Sequence, residues 1–249
     1  MLAPPNQASE MVVDHPGESE MHKAEPLNLY EEVMLLALRD EEGTIATGFP
    51  EHLVAGAILA EFLLEGRISL DDKRKKLVDI KNRRKTGNPV MDECLEKMKT
   101  AKRRASIQTW INRLAGIKQL RHKVARQLCD RKILRASEDK ILFIFKRRIY
   151  PEINSVPERQ IIDRLKEAIF GDQRELDPRT VVLVSLANGS DLLRQTFGRK
   201  EIKSRKKRIE LITSGDLAGK ATTEVIAACQ TALIIAAVIP TIVTTTTSS

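Results

Sequence analysis

The stretch Arg113–Leu134, RLAGIKQLRHKVARQLCDRKIL, combines an apolar face with a row of basic side chains. The apolar positions recur at helical spacing and are Ile117, Leu120, Val124 and Leu128. The basic positions at the edge of that face are Lys118, Arg121 and His122, with Lys123 and Arg126 beyond them. This periodicity predicts an amphipathic helix. A packed helix with cationic groups along its edge suits an anionic partner.

The charge of the whole chain points the same way but is unevenly spread. The 249 residues carry a formal net charge of +8, with 42% hydrophobic and only 4% aromatic residues. Residues 73–148 hold 25 lysines and arginines against 7 acids, whereas the remainder holds 17 against 27. The chain is therefore a cationic segment within an acidic protein, and its expected partner is nucleic acid, anionic lipid or an acidic protein.

The cysteines and the start of the chain bear on its compartment. The chain has three cysteines, Cys94, Cys129 and Cys229, which lie far apart in the sequence. Their odd number and wide spacing argue against a disulfide framework and favour a reducing environment. The first residues contain no apolar run of signal-peptide type. These features predict a cytoplasmic protein, and any membrane association is expected to be peripheral.

The chain divides into one helical domain between two tails. Residues 1–26 are rich in proline and acids and predict a disordered tail, residues 27–240 a helical domain, and residues 241–249 a Thr/Ser-rich tail. Residues 50–64 and 178–197 are apolar almost all round and predict buried helices. The first helix is expected to end near residues 41–43, followed by a loop over 44–50.

After the basic helix, the helical spacing of apolar residues ends, and the sequence that follows predicts a β-hairpin. Ser137–Lys140 has the composition of a turn, and Ile141–Phe145 is β-branched and aromatic. The predicted partner strand is Ile133–Arg135. The fold class is therefore mainly α, a single globular domain with a buried helical core wrapped by amphipathic helices, plus a projecting β-hairpin.

In this order the stretches resemble the Golgi phosphoprotein 3 family. The resemblance rests on the following segments: LNLYEEVMLLALRDEEG (27–43), GAILAEFLLEGRISL (56–70), the basic helix and hairpin (117–145), VVLVSLANGSDLL (181–193) and TTEVIAACQTA (222–232). Eukaryotic members bind phosphatidylinositol 4-phosphate on the cytosolic Golgi face. They also bind the cytoplasmic tails of glycosyltransferases and help coatomer to retain them. The resemblance implies an adaptor, with no enzymatic activity and no cofactor.

The resemblance also implies a lipid head-group site, of which this chain keeps part. The family uses a tryptophan, an arginine soon after it, and two arginines three residues apart on the basic helix. The helix pair corresponds to Lys118 and Arg121. The tryptophan region corresponds to Thr44–Pro50, which has no tryptophan, and the earlier arginine falls near Ala55. The N-terminal tail lacks the family's arginine cluster for coatomer, as in the bacterial branch.

Further membrane contacts are expected from the two basic runs, residues 73–76 and 81–85, and from the hairpin. Each basic residue near an anionic bilayer contributes about 1 kcal/mol. The candidate contact residues are Lys81, Arg83, Arg84, Leu142, Phe143, Arg147 and Arg148. The apolar hairpin residues could instead pack in the core or mediate self-association, and the basic runs could be solvated loops.

Three alternatives remain open at this stage. The basic region 73–148 could bind nucleic acid, although few aromatic residues are available for base stacking. The run 225–243 is long enough to span a bilayer, but its polar residues and Pro240 favour a core helix over a tail anchor. An enzyme is the third alternative, but no histidine pair has metal-ligand spacing and no nucleotide-binding or hydrolase motif occurs.

Overall fold

Two apolar helices lie at the centre of the protein, as their composition predicts. In a computed structural model, which describes residues 26–39, 44–45, 51–71, 76–141, 145–217 and 225–226, these are α2 (Glu51–Leu64) and α7 (Pro178–Gly189). Most residues of α2 are buried, and in α7 the continuous run 180–187 is buried. Helix α1 (Leu29–Ala37) is buried along its whole length and packs on both. These three helices form the core of a single domain.

The amphipathic helices surround this core and turn their polar faces outward. They are α3 (Pro89–Lys99), α4 (Ile107–Ala115), α5 (Leu120–Asp130), α6 (Val156–Phe170), α8 (Leu192–Phe197), α9 (Arg199–Ser204) and α10 (Lys206–Ser214). Helices α5 and α6 pack on α1, and α4 packs on α2. The mainly helical fold class is therefore confirmed.

The described strands form three separate antiparallel pairs. They are β1 (Leu38–Arg39) with β2 (Thr44–Ile45), β3 (Ile68–Leu70) with β4 (Val78–Ile80), and β5 (Ser137–Ile141) with β6 (Phe145–Ile149). The extended segment expected after the second helix is β3. The projecting hairpin is β5–β6, which follows α5 directly along the chain.

Three buried glutamates tie the core helices together through arginines. Glu61 of α2 is 2% exposed and accepts hydrogen bonds from both terminal nitrogens of Arg179, at 2.8 and 2.9 Å. It also accepts the N–H of Leu29 at 2.6 Å, one of the amide groups that the start of α1 leaves without a helical partner. Glu61 therefore joins α1, α2 and α7.

The other two glutamates lie on α1 itself. Glu31 is fully buried and pairs with Arg131 at 3.0 Å. Glu32 lies 2.8 Å from Arg164, but burial outweighs that arginine and raises the pKa of the carboxyl group. These pairs hold α1 against the segment after α5 and against α6.

The basic helix is shorter than the sequence predicts. Gly116 is the residue expected to separate the helix around Trp110 from the basic helix, and α4 does end at Ala115 with Gly116 as its C-cap, but α5 begins only at Leu120. The chain turns between them, and Gln119 adopts a left-handed conformation with φ of 59°. Because a left-handed residue interrupts the right-handed helical path, the apolar periodicity continues across two helices rather than one.

The hairpin register also differs from the prediction. The segment 133–135 pairs not with 141–145 but with the chain after the hairpin, where the Arg135 N–H donates to the Pro151 oxygen at 2.9 Å. Ile133 and Leu134 are buried in the core, so they cannot form part of a projecting hairpin. The expected turn 137–140 instead belongs to β5, and Ile141 faces Phe145 across the ladder. Leu142 and Phe143 lie outside the described residues.

Three further helix boundaries differ from expectation. The first helix ends at Ala37 rather than near 41–43, and β2 occupies the start of the expected loop 44–50. The helix expected over 178–197 divides because Asp191 has a φ of 65°. The amphipathic run 200–212 divides at Arg205 into α9 and α10.

The two predicted tails, and most of the apolar run 225–243, lie outside the described residues. Val225 and Ile226 are described, and both are helical and buried in the core. Within the described part of the chain, every helix is too short or too polar to cross a bilayer.

Candidate anion-binding site

Basic side chains converge where the turn before α5 meets the base of the hairpin. We call this group the hairpin-base cluster. Its members are Lys118, Gln119, Arg121, His122, Arg126, Arg148 and Tyr150. The α4–α5 turn positions the first two, α5 the next three, and the end of β6 the last two.

Lys118 and Arg121 present their charges differently because Lys118 precedes the helix. Lys118 is exposed in the turn, whereas the side chain of Arg121 is 38% exposed in the first turn of α5. The Nε of Arg121 lies 3.4 Å from a carboxylate oxygen of Glu51, but the pair lacks hydrogen-bond geometry. Because Nε itself is buried, an incoming anion would be bound by the terminal nitrogens of this partly exposed side chain.

The hairpin brings a third cation to the same place. The guanidinium of Arg148 donates to the side-chain oxygen of Gln119 at 3.2 Å. Gln119 lies between Lys118 and Arg121 in sequence, and its side chain makes no capping hydrogen bond to α5. Arg148 is thereby held beside the α4–α5 turn, although it lies 27 residues after Arg121 in the sequence.

A histidine–tyrosine hydrogen bond joins α5 to the chain after the hairpin. The Nδ1 of His122 lies 2.9 Å from the Tyr150 hydroxyl, and the two rings are tilted with centroids 5.7 Å apart. Tyr150 is 3% exposed, so it is anchored in the core. This contact sets the position of the hairpin base relative to the first turn of α5.

The surrounding cations act on the protonation of both rings. Partial burial lowers the pKa of His122, and the charges of Arg121 and Arg148 lower it further, while Glu51 opposes them. Burial raises the pKa of Tyr150, although Arg148, Arg126 and Arg121 each act to lower it. His122 is therefore neutral at pH 7, and the positive potential comes from the lysine and the arginines.

This arrangement suits a phosphate or another compact oxyanion. Three cations lie around one turn, and the first turn of α5 contains no acidic residue. Arginine guanidinium groups donate paired hydrogen bonds to phosphate oxygens, and lysine adds a point charge. Glu51 is the carboxylate nearest to Arg121, and its own side chain is 35% exposed. The cluster can therefore bind an anion at the protein surface through hydrogen bonds and ion pairs alone.

Of the remaining predicted site residues, the structure describes Lys81, Arg83, Arg84 and Arg147, and none of them is a member of the hairpin-base cluster. Lys81, Arg83 and Arg84 are exposed in the connection between β4 and α3, where the Arg84 carbonyl accepts a hydrogen bond from Arg67 at 2.9 Å. The backbone of Arg147 pairs with Asp139 in the hairpin ladder. The β4–α3 connection and the hairpin-base cluster are therefore two separate basic groups among the described residues.

Sequence reasoning missed two members of the cluster. Tyr150 and Gln119 carry no charge and belong to no motif, so their part in positioning His122 and Arg148 depends on tertiary contacts. The only signal in the sequence is that Tyr150 is one of two tyrosines in the chain and lies two residues after Arg148.

Comparison with known proteins gives a family match over most of the chain. The family model described as Golgi phosphoprotein 3 (GPP34) matches residues 29–229. A similar protein is Vacuolar protein sorting-associated protein 74 of Eremothecium gossypii, with 26% identity over 213 residues. The match covers 72% of this chain and 64% of that relative, so the chain spans less than two thirds of its length.

Proposed function

Since the chain belongs to the Golgi phosphoprotein 3 family, we propose that it is a peripheral membrane adaptor whose hairpin-base cluster binds an anionic phosphoinositide head group. The observation that carries this proposal is the convergence of Lys118, Arg121 and Arg148 on the α4–α5 turn. Phosphatidylinositol 4-phosphate is the proposed lipid, by resemblance to the family. The role is binding rather than catalysis.

The adaptor role has two further parts. The protein binds protein clients of the glycosyltransferase-tail type, in keeping with the sorting function named for the relative from Eremothecium gossypii. Leu142 and Phe143, which lie between the two hairpin strands in sequence, are proposed to contact either the bilayer or a second copy of the chain. In a eukaryotic cell the protein acts at the cytosolic Golgi face, and in a bacterium it acts in the cytoplasm.

Flotation of the full chain with vesicles of defined composition tests the lipid proposal. We expect binding to vesicles containing phosphatidylinositol 4-phosphate and none to neutral vesicles. A DNA-retention assay at the same salt concentration tests the rival nucleic-acid function. Salt weakens both kinds of binding, so the two assays must be compared at equal ionic strength. Retention of DNA without flotation would overturn the lipid function.

We predict that the head-group selectivity is modest. The chain lacks the family's tryptophan and early arginine and has lysine at the first position of the helix pair. A lysine point charge defines phosphate geometry less well than a bidentate arginine. The preference for phosphatidylinositol 4-phosphate over anionic lipids of equal charge should stay below about a hundredfold, or roughly 2.7 kcal/mol. A larger preference in a competition assay would show that other residues complete a selective pocket.

We also predict that acidification strengthens anion binding through His122. Its pKa is lowered in the free protein, first by burial and then by Arg121 and Arg148. A bound anion favours the protonated ring and raises this pKa, so binding takes up a proton. Affinity should therefore rise as the pH falls from 7.5 toward 6, by up to about tenfold for each unit of pKa increase.

Vesicles of a sulfated lipid suit this measurement because the charge of the head group is constant over that pH range. The His122→Gln variant keeps a polar partner for Tyr150 but cannot be protonated. Its flotation should not depend on pH. An equal pH dependence in the wild type and the variant would exclude His122 as the titrating group.

A further inference from the structure

A second basic site surrounds Trp110, the single tryptophan of the chain. Two adjoining hollows, with volumes of about 360 and 240 Å³, share Ala101, Arg103 and Trp110 in their walls. Helix α4 supplies Trp110, and the connection between α3 and α4 supplies the other two. We call the combined hollow the Trp110 cleft.

The cleft is lined by cations that other parts of the protein do not neutralise. Among the described residues, these cations are Lys97, Lys102, Arg103 and Arg113 around the larger hollow and Arg83 at the smaller one. None of the five forms an ion pair within the described part of the chain. All are exposed. Gathering like charges in one concave surface is unfavourable unless an anion neutralises them.

A neighbouring arginine of the same surface already pairs with carboxylates of the chain. Arg104 also lines the smaller hollow, and its guanidinium lies 2.6 Å from Asp79 and 3.1 Å from Asp71. Two carboxylates of the chain therefore occupy this arginine, while Arg103 next to it has none. The position of Arg103 at the junction of the hollows leaves its guanidinium available for a carboxylate from outside.

The floor of the cleft is apolar and recessed. Trp110 and Met98 are each 3% exposed, and the guanidinium of Arg113 lies 4.9 Å from the centre of the Trp110 ring. A flat bilayer cannot reach such a floor, but a narrow extended peptide can. Base stacking requires an accessible aromatic face, and burial together with Arg113 leaves Trp110 without one.

We propose that the Trp110 cleft binds an acidic peptide segment of a partner protein, with its carboxylates on Arg103 and the lysines beside the buried Trp110. This site is independent of the hairpin-base cluster. An adaptor with both sites holds a lipid head group and an acidic partner at once.

The position of Trp110 allows a direct test with the full chain. The probe is a labelled synthetic peptide rich in glutamate with a central leucine, and the same peptide with glutamine in place of glutamate is its control. Anisotropy of the label measures affinity, and tryptophan fluorescence reports where the peptide binds, because the chain has no other tryptophan. We expect saturable binding of the acidic peptide, a change in the tryptophan signal, and no binding of the control peptide.

Charge-reversal variants separate the cleft from the general basicity of the chain. Lys102→Glu with Arg103→Glu should weaken peptide binding at least tenfold, and unchanged melting should show that the variant is folded. Lys200→Glu with Lys207→Glu makes the same charge change at exposed positions of α9 and α10 and should have little effect. Lys118→Ala with Arg121→Ala should also leave peptide binding unchanged, whatever it does to flotation.

Three results would overturn the proposal. The first is peptide binding that leaves the tryptophan signal unchanged, since the peptide would then lie elsewhere. The second is an equal loss of affinity in the two charge-reversed variants. The third is displacement of the peptide by anionic vesicles or by oligodeoxythymidine together with a larger tryptophan response, which would assign the cleft to lipid or to nucleic acid.

Discussion

Replacing Glu61 with alanine should lower the free energy of unfolding by about 3–5 kcal/mol, because it leaves Arg179 with a partly buried and uncompensated charge. Glu61 is 2% exposed and accepts three hydrogen bonds, two from Arg179 and one from the N–H of Leu29. A domain of this kind has a total stability of roughly 5–15 kcal/mol. The variant should therefore unfold at a much lower temperature and urea concentration than the wild type.

Glu65→Ala is the matched control for this prediction. Glu65 lies one helical turn after Glu61, and its ion pair with Arg67 at 2.5 Å is partly exposed, with side-chain exposures of 36% and 16%. Exposed pairs of this kind contribute about 0–1 kcal/mol. Similar urea midpoints for the two variants would mean that the buried pair does not hold α1, α2 and α7 together.

The second large effect is expected at the hairpin-base cluster. Hydrogen bonds to charged groups contribute about 1.5–3 kcal/mol each, so removing two of them should cost at least a hundredfold in affinity. We therefore expect Lys118→Ala with Arg121→Ala to abolish flotation with vesicles that contain phosphatidylinositol 4-phosphate. The melting temperature should change little, because Lys118 is exposed and the Arg121–Glu51 pair is partly exposed.

Lys200→Ala with Lys207→Ala removes the same net charge at exposed positions far along the chain from the cluster. This control should float like the wild type. If the folded cluster variant floats as well as the control does, Lys118 and Arg121 do not form the head-group site, and the proposed lipid function loses its main support.

The helical segments illustrate how far periodicity predicts this fold. The boundary of α2 at Leu64 agrees with the helix predicted over 50–64, and Gly66 adopts a left-handed conformation just beyond it. Periodicity cannot detect the breaks at Gln119 and Asp191, because both are polar residues that also occur within helices. Both adopt positive φ values, 59° at Gln119 and 65° at Asp191.

The hairpin illustrates the opposite case. Its existence follows from the change of period after α5, but its register does not, because two short apolar runs can each pair in more than one way. Burial of Ile133 and Leu134 in the core determines the register, because these residues then cannot pair within the hairpin. The strands that pair are therefore Ser137–Ile141 and Phe145–Ile149.

The amino-acid sequence by itself determined the helical class, the buried central helices, the basic segment and the family resemblance, because each depends on composition, local periodicity or the order of segments. Tertiary structure alone decided which cations meet. Arg148 is 27 residues from Arg121, yet it lies beside the α4–α5 turn because the hairpin folds back and Tyr150 anchors its base to His122. The tertiary structure also decided that Glu31, Glu32 and Glu61 are buried in the core, although the sequence around them has an ordinary helical pattern. A buried carboxylate is stable only where an arginine that is distant in sequence packs against it.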